Sequence, residues 1–360
     1  MTTAVPDPDA FATLLCDWSM AVTPGDRVGI LSTTLAADLA SALHRAVLDR
    51  DAWPYVALEP PGLAADLYRH AQARHRTDAP PTQMAVVAAL DAFVRIEAPA
   101  NTTELADIAP AAVAEVSKAR RPFQEASLKL RWTGTILPTP ALAQQAQMST
   151  GEYAAFVNRS LFLDRPDPAQ AWRDLSATQE AMVARLTPAS EIRIEAEGTD
   201  IRLGVAGRTW INSDGRHNMP SGEVFTGPIE DSAEGTIRFT VPSSPRGVEV
   251  ADVSLTFASG RVVQARAQRG DGYLQAALET DGGARYLGEL GIGTNVGIDR
   301  ATGSILLDEK MAGTVHLALG RSYPETGGRN ESALHWDMIC DLRDGGRLTV
   351  DGEQILLTAN

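Results

Sequence analysis

The sequence predicts an α/β chain in two parts, a first part in which parallel strands alternate with helices and a second, β-rich α+β part. Three observations carry this. Apolar runs of strand length recur through the first third of the 360 residues with helical-period segments between them, the pattern of a parallel sheet covered on both faces. A helical stretch follows from about residue 149. Beyond about residue 190 the apolar period becomes two, with turn residues between short alternating runs, as half-buried antiparallel strands require.

In chain order, Phe11–Met20 is amphipathic, and the turn Pro24-Gly25-Asp26 leads into Arg27–Ser32, a short apolar run that predicts a buried strand. Leu35–Leu48 places apolar side chains at helical spacing with alanine between them, and alanine is the best helix former. Tyr55–Leu58, Ala92–Glu97 and Leu128–Ile136 continue the strands. Together these make a flavodoxin-like parallel-sheet domain. Ser149–Leu186 reads as helical, with Ser149 or Thr150 able to cap, Glu152 near the first turn, and Pro168 tolerable at a helix start after Asp167. Strands are then expected at Glu191–Glu195, Ile201–Leu203, Arg208–Ile211, Gly235–Val241, Val250–Phe257 and Arg261–Ala267. The expected division is a domain of residues 1–190, with bridging helices from about 149, and a catalytic domain of residues 191–360.

Composition narrows the function classes. Hydrophobic residues at 44% and charged residues at 22% are the balance of a folded globular chain. A net charge of −14 without any Lys/Arg run argues against nucleic acid, which needs clustered cations. Cys16 and Cys340 lie far apart without CxxC spacing, so neither a disulfide framework nor a zinc ribbon is indicated and a reducing compartment is expected. The first residues lack a basic region followed by an apolar run, and no stretch of eighteen apolar residues occurs. The expectation is a cytoplasmic protein with no membrane partner.

Four histidines, His44, His70, His75 and His217, have no carboxylate or second histidine at ligand spacing and read as surface or hydrogen-bonded imidazoles. His335-Trp336-Asp337 differs: residues two apart on a strand share a face, roughly 6.5 Å apart at Cα, so both side chains can reach one ion. His316 lies in the apolar run Gly313–Leu319, where an imidazole needs a hydrogen bond or a ligand to offset desolvation. A satisfied core histidine is the plain alternative. Glu289, between Leu287 and Leu290, is a candidate buried carboxylate that must be paired or coordinated. Glu223 stands between a Pro/Gly turn and an apolar pair, and a surface turn residue would look the same. The HExxH, GxxxxGK[ST], GxSxG and GxGxxG signatures of other enzyme classes are missing. What remains is three carboxylates and two imidazoles, an oxygen and nitrogen donor set suited to zinc, cobalt or manganese and too large for one catalytic zinc with an open position.

The blocks NMPSGEVFTGPIEDSAEGTIRF, ARYLGELGIGTN, DEKMAGTVHLALGRSYPETGG and SALHWDMICDLR, with weaker likeness in PGDRVGILSTTLAADLASAL and MSTGEYAAF, occur in order along the chain. In these blocks the sequence resembles the two-metal aminopeptidases related to aminopeptidase T and staphylococcal aminopeptidase S, the thermophilic metalloprotease family. The resemblance implies metal ligands at Glu223, Glu289, His316, His335 and Asp337, with Glu289 bridging two divalent cations. It also implies that Tyr323, seven residues after His316, lines the site, and that the protein is a homodimer removing N-terminal residues from short peptides. A rival reading uses His316, His335 and Asp337 alone as the two-histidine, one-carboxylate triad of a mononuclear Fe(II) ring-cleaving dioxygenase, which leaves Glu223 and Glu289 without a role. A non-catalytic relative on the same scaffold is the third reading.

Overall fold

The computed structural model describes residues 6–355, and the chain divides into two compact units. One comprises the chain up to Trp172 with Gly215–Pro220, the other Arg173–Asp214 with the chain from Ser221 onward. In the first unit, strands β1 (Arg27–Thr33), β2 (Trp53–Glu59), β3 (Ala92–Glu97) and β4 (Arg131–Ile136) lie parallel in the order β2-β1-β3-β4. A two-residue strand, Asn218–Met219, which is β8 in chain order, adds in parallel beyond β4. This is the flavodoxin-like strand order, as the sequence predicts. The helix Ala37–Leu48 follows β1 because Leu39, Leu43 and Val47 recur at fourfold spacing and are fully buried beside Val28 and Ile30 of that strand.

Several local differences have plain causes. The strand expected from Leu128 begins at Arg131, because Leu128 and Leu130 end a helical segment through N–H bonds to Gln124 and Ser127. Leu128 is exposed. Ser149–Leu186 resolves into two helices, Thr150–Ser160 and Pro168–Leu186. Ser149 Oγ accepts the Glu152 N–H at 3.2 Å and Asp167 Oδ1 accepts the Gln170 N–H at 2.9 Å, so each helix start carries its own cap. Phe11–Met20 is the end of a helix, Pro8–Leu14, running into a π-helical turn, Leu15–Ser19. The strand expected at Arg208–Ile211 starts only at Ile211, since the Arg208 N–H closes a turn on Val205.

The second unit holds two antiparallel sheets. In chain order its strands are β5 (Glu191–Ala196), β6 (Thr199–Gly204), β7 (Ile211–Ser213), β9 (Glu223–Thr226), β10 (Glu234–Phe239), β11 (Ala251–Ala258), β12 (Arg261–Arg269), β13 (Leu287–Gly293), β14 (Thr314–Gly320), β15 (His335–Asp341), β16 (Arg347–Val350) and β17 (Glu353–Ile355). The larger sheet runs β12-β11-β10-β6-β5-β16-β17 and the smaller β15-β14-β13-β9-β7. Their facing side chains form one apolar cluster, with Ile194, Ile201, Ile237, Phe239 and Leu255 from the larger sheet and Leu290, Leu317, Leu319 and Met338 from the smaller. Burying a side chain of this size stabilises by about 1.5–3 kcal/mol. A register slip of one residue would turn several outward, so the face of every residue on β13–β15 is fixed. Among the described residues, no helix is long and apolar enough to cross a membrane.

Candidate metal centre

The far face of the smaller sheet collects the polar residues. Along β14 the odd positions Val315, Leu317 and Leu319 enter the core, which leaves His316, Ala318 and Gly320 on the opposite face. Asp337 of β15 and Glu289 of β13 flank Ala318 in register, and His335 pairs with Gly320. Glu223 opens β9 opposite Gly293. The small Ala318 leaves open the space between the two carboxylates.

Glu289 reaches this face through an irregularity. Leu287 pairs with Leu319, yet Glu289 pairs with Ala318, so the register shifts by one residue at Gly288. A regular strand would put residues 287 and 289 on one side. The bulge changes the phase, so that Leu287 and Leu290 both enter the core while Glu289 faces the site, the re-aiming that bulges beside functional sites provide.

All five sequence-predicted ligands come together. His316 Nε2 lies 3.4 Å from Glu223 Oε2 and 3.4 Å from Glu289 Oε1. His335 Nε2 lies 3.5 Å from Glu289 Oε2 and 3.4 Å from Asp337 Oδ2. Glu289 therefore turns one oxygen to each of two groups, Glu223–Glu289–His316 and Glu289–His335–Asp337, each with its ligand atoms within 4.8 Å of one another. His335 Nδ1 donates to the Arg321 carbonyl at 2.8 Å, which fixes the ring orientation and turns Nε2 toward the carboxylates. Tyr323 stands edge-on to His335 with ring centroids 5.3 Å apart. The four set-aside histidines take no part; His217, for instance, packs on Trp132.

The electrostatics are those of a site built for cations. Burial drives the Glu289 carboxyl up, against the His316 hydrogen bond. Burial pushes both imidazoles down, but the carboxylates outweigh it, so His316 is raised to about 10 by Glu289 and Glu223, and His335 to about 9, mainly by Asp337. Burial, reinforced by Glu289 and Asp337, lifts the Tyr323 phenol well above its ordinary value, so it stays an O–H donor. Glu223 Oε2, Asp337 Oδ1 and His316 Nδ1 are buried without a hydrogen-bond partner, which is costly for charged groups unless something coordinates them. The donor set, its geometry and these unpartnered oxygens fit divalent cations.

Two residues that the sequence does not single out lie in the same cluster. Lys310 is fully buried, with Nζ 3.3 Å from Glu223 Oε1 and in contact with Glu309 Oε1. Its attraction to Glu223 and Glu309 outweighs the desolvation that would discharge it. Glu309, raised to about 8 by burial despite Lys310, groups with His316 and Asp337. Their spacing from the other ligands carries no periodic signal, because they sit in a loop between the short helix Ile305–Asp308 and β14. The apolar flanks Ile305-Leu306-Leu307 and Met311-Ala312 are the only hint of burial.

Gly291 is required by close approach. A Cβ there would sit 2.1 Å from both Cε1 and Nε2 of His316, so this ring lies directly over the β13 backbone. Gly291→Ala is expected to displace the imidazole and to weaken ion binding by roughly 10–100-fold, the range for mutations that misorient ligands. Titration calorimetry giving an unchanged affinity and ion count would contradict the packing argument.

Comparison with known proteins places these features. Residues 7–359 match the family described as thermophilic metalloprotease (M29). The chain is 30% identical over 302 residues to "Aminopeptidase 2" of Geobacillus stearothermophilus, covering 72% of each. Among solved structures it is similar to wild-type AmpT from Thermus thermophilus, with a TM-score of 0.84, 23% identity and coverage of 97% of this chain and 96% of that one. It is also similar to 2,5-dihydroxypyridine dioxygenase from Pseudomonas putida, with a TM-score of 0.58, 15% identity and coverage of 98% and 97%. At these identities the two structures share the fold.

Proposed function

Because the chain belongs to the thermophilic metalloprotease family, we propose that it is a metal-dependent aminopeptidase, removing N-terminal residues from short peptides at the Glu223, Glu289, His316, His335 and Asp337 cluster. The observation that carries this is the divided Glu289 carboxylate, one oxygen facing His316 and the other His335. A mononuclear site has no use for a carboxylate shared between two imidazole groups, nor for Glu223. This favours the peptidase over the dioxygenase fold relative.

Glu223, His316 and Glu289 would hold one ion, and Glu289, His335 and Asp337 the other. Divalent cations held there, zinc, cobalt or manganese, would supply Lewis-acid polarisation of the scissile carbonyl, a water of lowered pKa and an anchor for the substrate's α-amine. The protein's own groups do the rest. The Arg321 carbonyl holds the His335 ring so that Nε2 points at Asp337 and Glu289. Tyr323, kept protonated by its surroundings, donates its O–H to the oxyanion that develops on the carbonyl. The same reading carries a homodimer in the cytoplasm, with the two buried, unbridged cysteines Cys16 and Cys340 in keeping with a reducing compartment.

The test couples metal analysis with a panel of aminoacyl-p-nitroanilides. Two ions per chain and turnover of at least one aminoacyl substrate are expected, with Tyr323→Phe lowering kcat by about a hundredfold, as for loss of one oxyanion donor. A single bound iron with ring-cleaving activity would replace the proposal by the dioxygenase reading, and no turnover with metal restored would leave a non-catalytic relative.

A further inference from the structure

A cavity of about 290 Å³ opens against the His335–Asp337 side of the cluster. Val241, Pro242, Ile305 and Ile339 form its apolar walls, and His335 and Asp337 also line it. We propose that this cavity receives the side chain of the substrate's N-terminal residue, and that it selects an uncharged, apolar one. The inference rests on the aminopeptidase reading and adds to it the class of residue removed.

Connectivity in the substrate gives the first reason. The α-amine and the scissile carbonyl of an aminopeptidase substrate are joined through one carbon atom, the Cα of the first residue. If both groups bind at the cluster, the side chain on that carbon leaves from the cluster itself. It must enter whatever space adjoins the ligands, and this cavity shares His335 and Asp337 with them. Its volume lies just below that of small-molecule sites, which run from about 300 to 1,000 Å³, so it suits one side chain.

The lining chemistry gives the second reason. Among the described residues no lysine or arginine borders the cavity, so none of them offers a counter-charge to an acidic side chain. The only carboxylate there apart from Asp337 is Asp308, and its oxygens are already engaged. Oδ1 accepts the Thr302 N–H and Oγ–H, each at 2.7 Å, and Oδ2 accepts the Gly303 N–H at 2.8 Å. With Asp337 committed to an ion in the aminopeptidase reading and Asp308 to these donors, a basic side chain finds no carboxylate oxygen free to pair with it, and burying an unpaired charge is strongly unfavourable. An apolar chain replaces water against Val241, Pro242 and Ile339 and gains by it. Ser243, also on the wall, interacts with the Trp336 indole at 3.3 Å and pairs with Val250 through its backbone, so this serine is held in the wall.

Ile305 is the residue to change, since it borders the cavity yet is 45% exposed and is dispensable to the core. With the full chain and its ions restored, kcat/KM is measured for leucyl-, methionyl-, arginyl- and glutamyl-p-nitroanilide. The wild type is expected to favour leucyl or methionyl over arginyl and glutamyl by at least about tenfold, the lower end of discrimination by an apolar pocket. Ile305→Asp is expected to shift the leucyl/arginyl ratio toward arginine by about tenfold or more, while the neutral Ile305→Asn gives no comparable gain on arginine. An active Ile305→Asp protein with the wild-type ratio overturns the assignment of the cavity while leaving the aminopeptidase reading intact. So does a wild type that prefers arginyl or glutamyl substrates. Failure of the wild type to turn over any of the four, with ions bound, removes both.

Discussion

Glu289→Ala is expected to bind one divalent ion or none in place of two, and to lose at least about a thousandfold in kcat, roughly 4 kcal/mol of barrier. The size follows from position. Of the five candidate ligands, Glu289 alone stands beside both imidazoles, with Oε1 beside His316 and Oε2 beside His335. Removing it opens both groups at once, and Ala318, its partner in register, carries no ligand atom. Glu289→Gln refines the experiment by keeping the shape and removing the charge, and should fall between wild type and alanine in ion content. Elemental analysis beside steady-state kinetics reads both quantities. A Glu289→Ala protein that keeps two ions and ordinary activity would end the two-ion proposal.

The second large effect is on stability. Lys310→Met removes the one ammonium between the buried carboxyls of Glu223 and Glu309. Breaking a buried pair from one side typically costs about 3–5 kcal/mol, since the partner charge stays behind uncompensated. The metal-free Lys310→Met protein should therefore denature at markedly lower urea concentration than metal-free wild type. Adding Glu309→Gln should recover little of the loss at neutral pH, because burial already raises that carboxyl to about 8. Saturating zinc should narrow the gap, as cations bound to the folded form both neutralise Glu223 and stabilise by mass action. Equal urea midpoints for the metal-free proteins would mean that Lys310 is discharged or solvated in the fold.

What could be read from the sequence follows the range over which each signal acts. The parallel strands and the buried face of Ala37–Leu48 were legible because one strong period decides them. The Leu128 end of β4 was not, since an apolar pair at a helix end looks like the start of a strand until backbone hydrogen bonds choose. At the candidate site, His335 and Asp337 share a strand face by spacing alone, and the long-range meeting of Glu223, Glu289 and His316 was foreseen only through family resemblance. The Glu309–Lys310 pair escaped both routes, because two adjacent opposite charges in a loop look solvated until the loop is folded over them. Gly288 is similar. Its phase change depends on the pairing of β13 with β14, and one strand alone does not contain that information.

Four of the five candidate ligands alternate with core residues on β13, β14 and β15, and Glu223 begins the adjoining β9. The side chains that would grip an ion are thus set when the apolar faces of these strands close on the larger sheet, before any ion arrives. Uptake of the ion then orders little chain, and release of the ion loosens little. Such a chelate can exchange one divalent ion for another while the polypeptide stays folded, and which ion it carries is decided by supply and donor preference rather than by refolding.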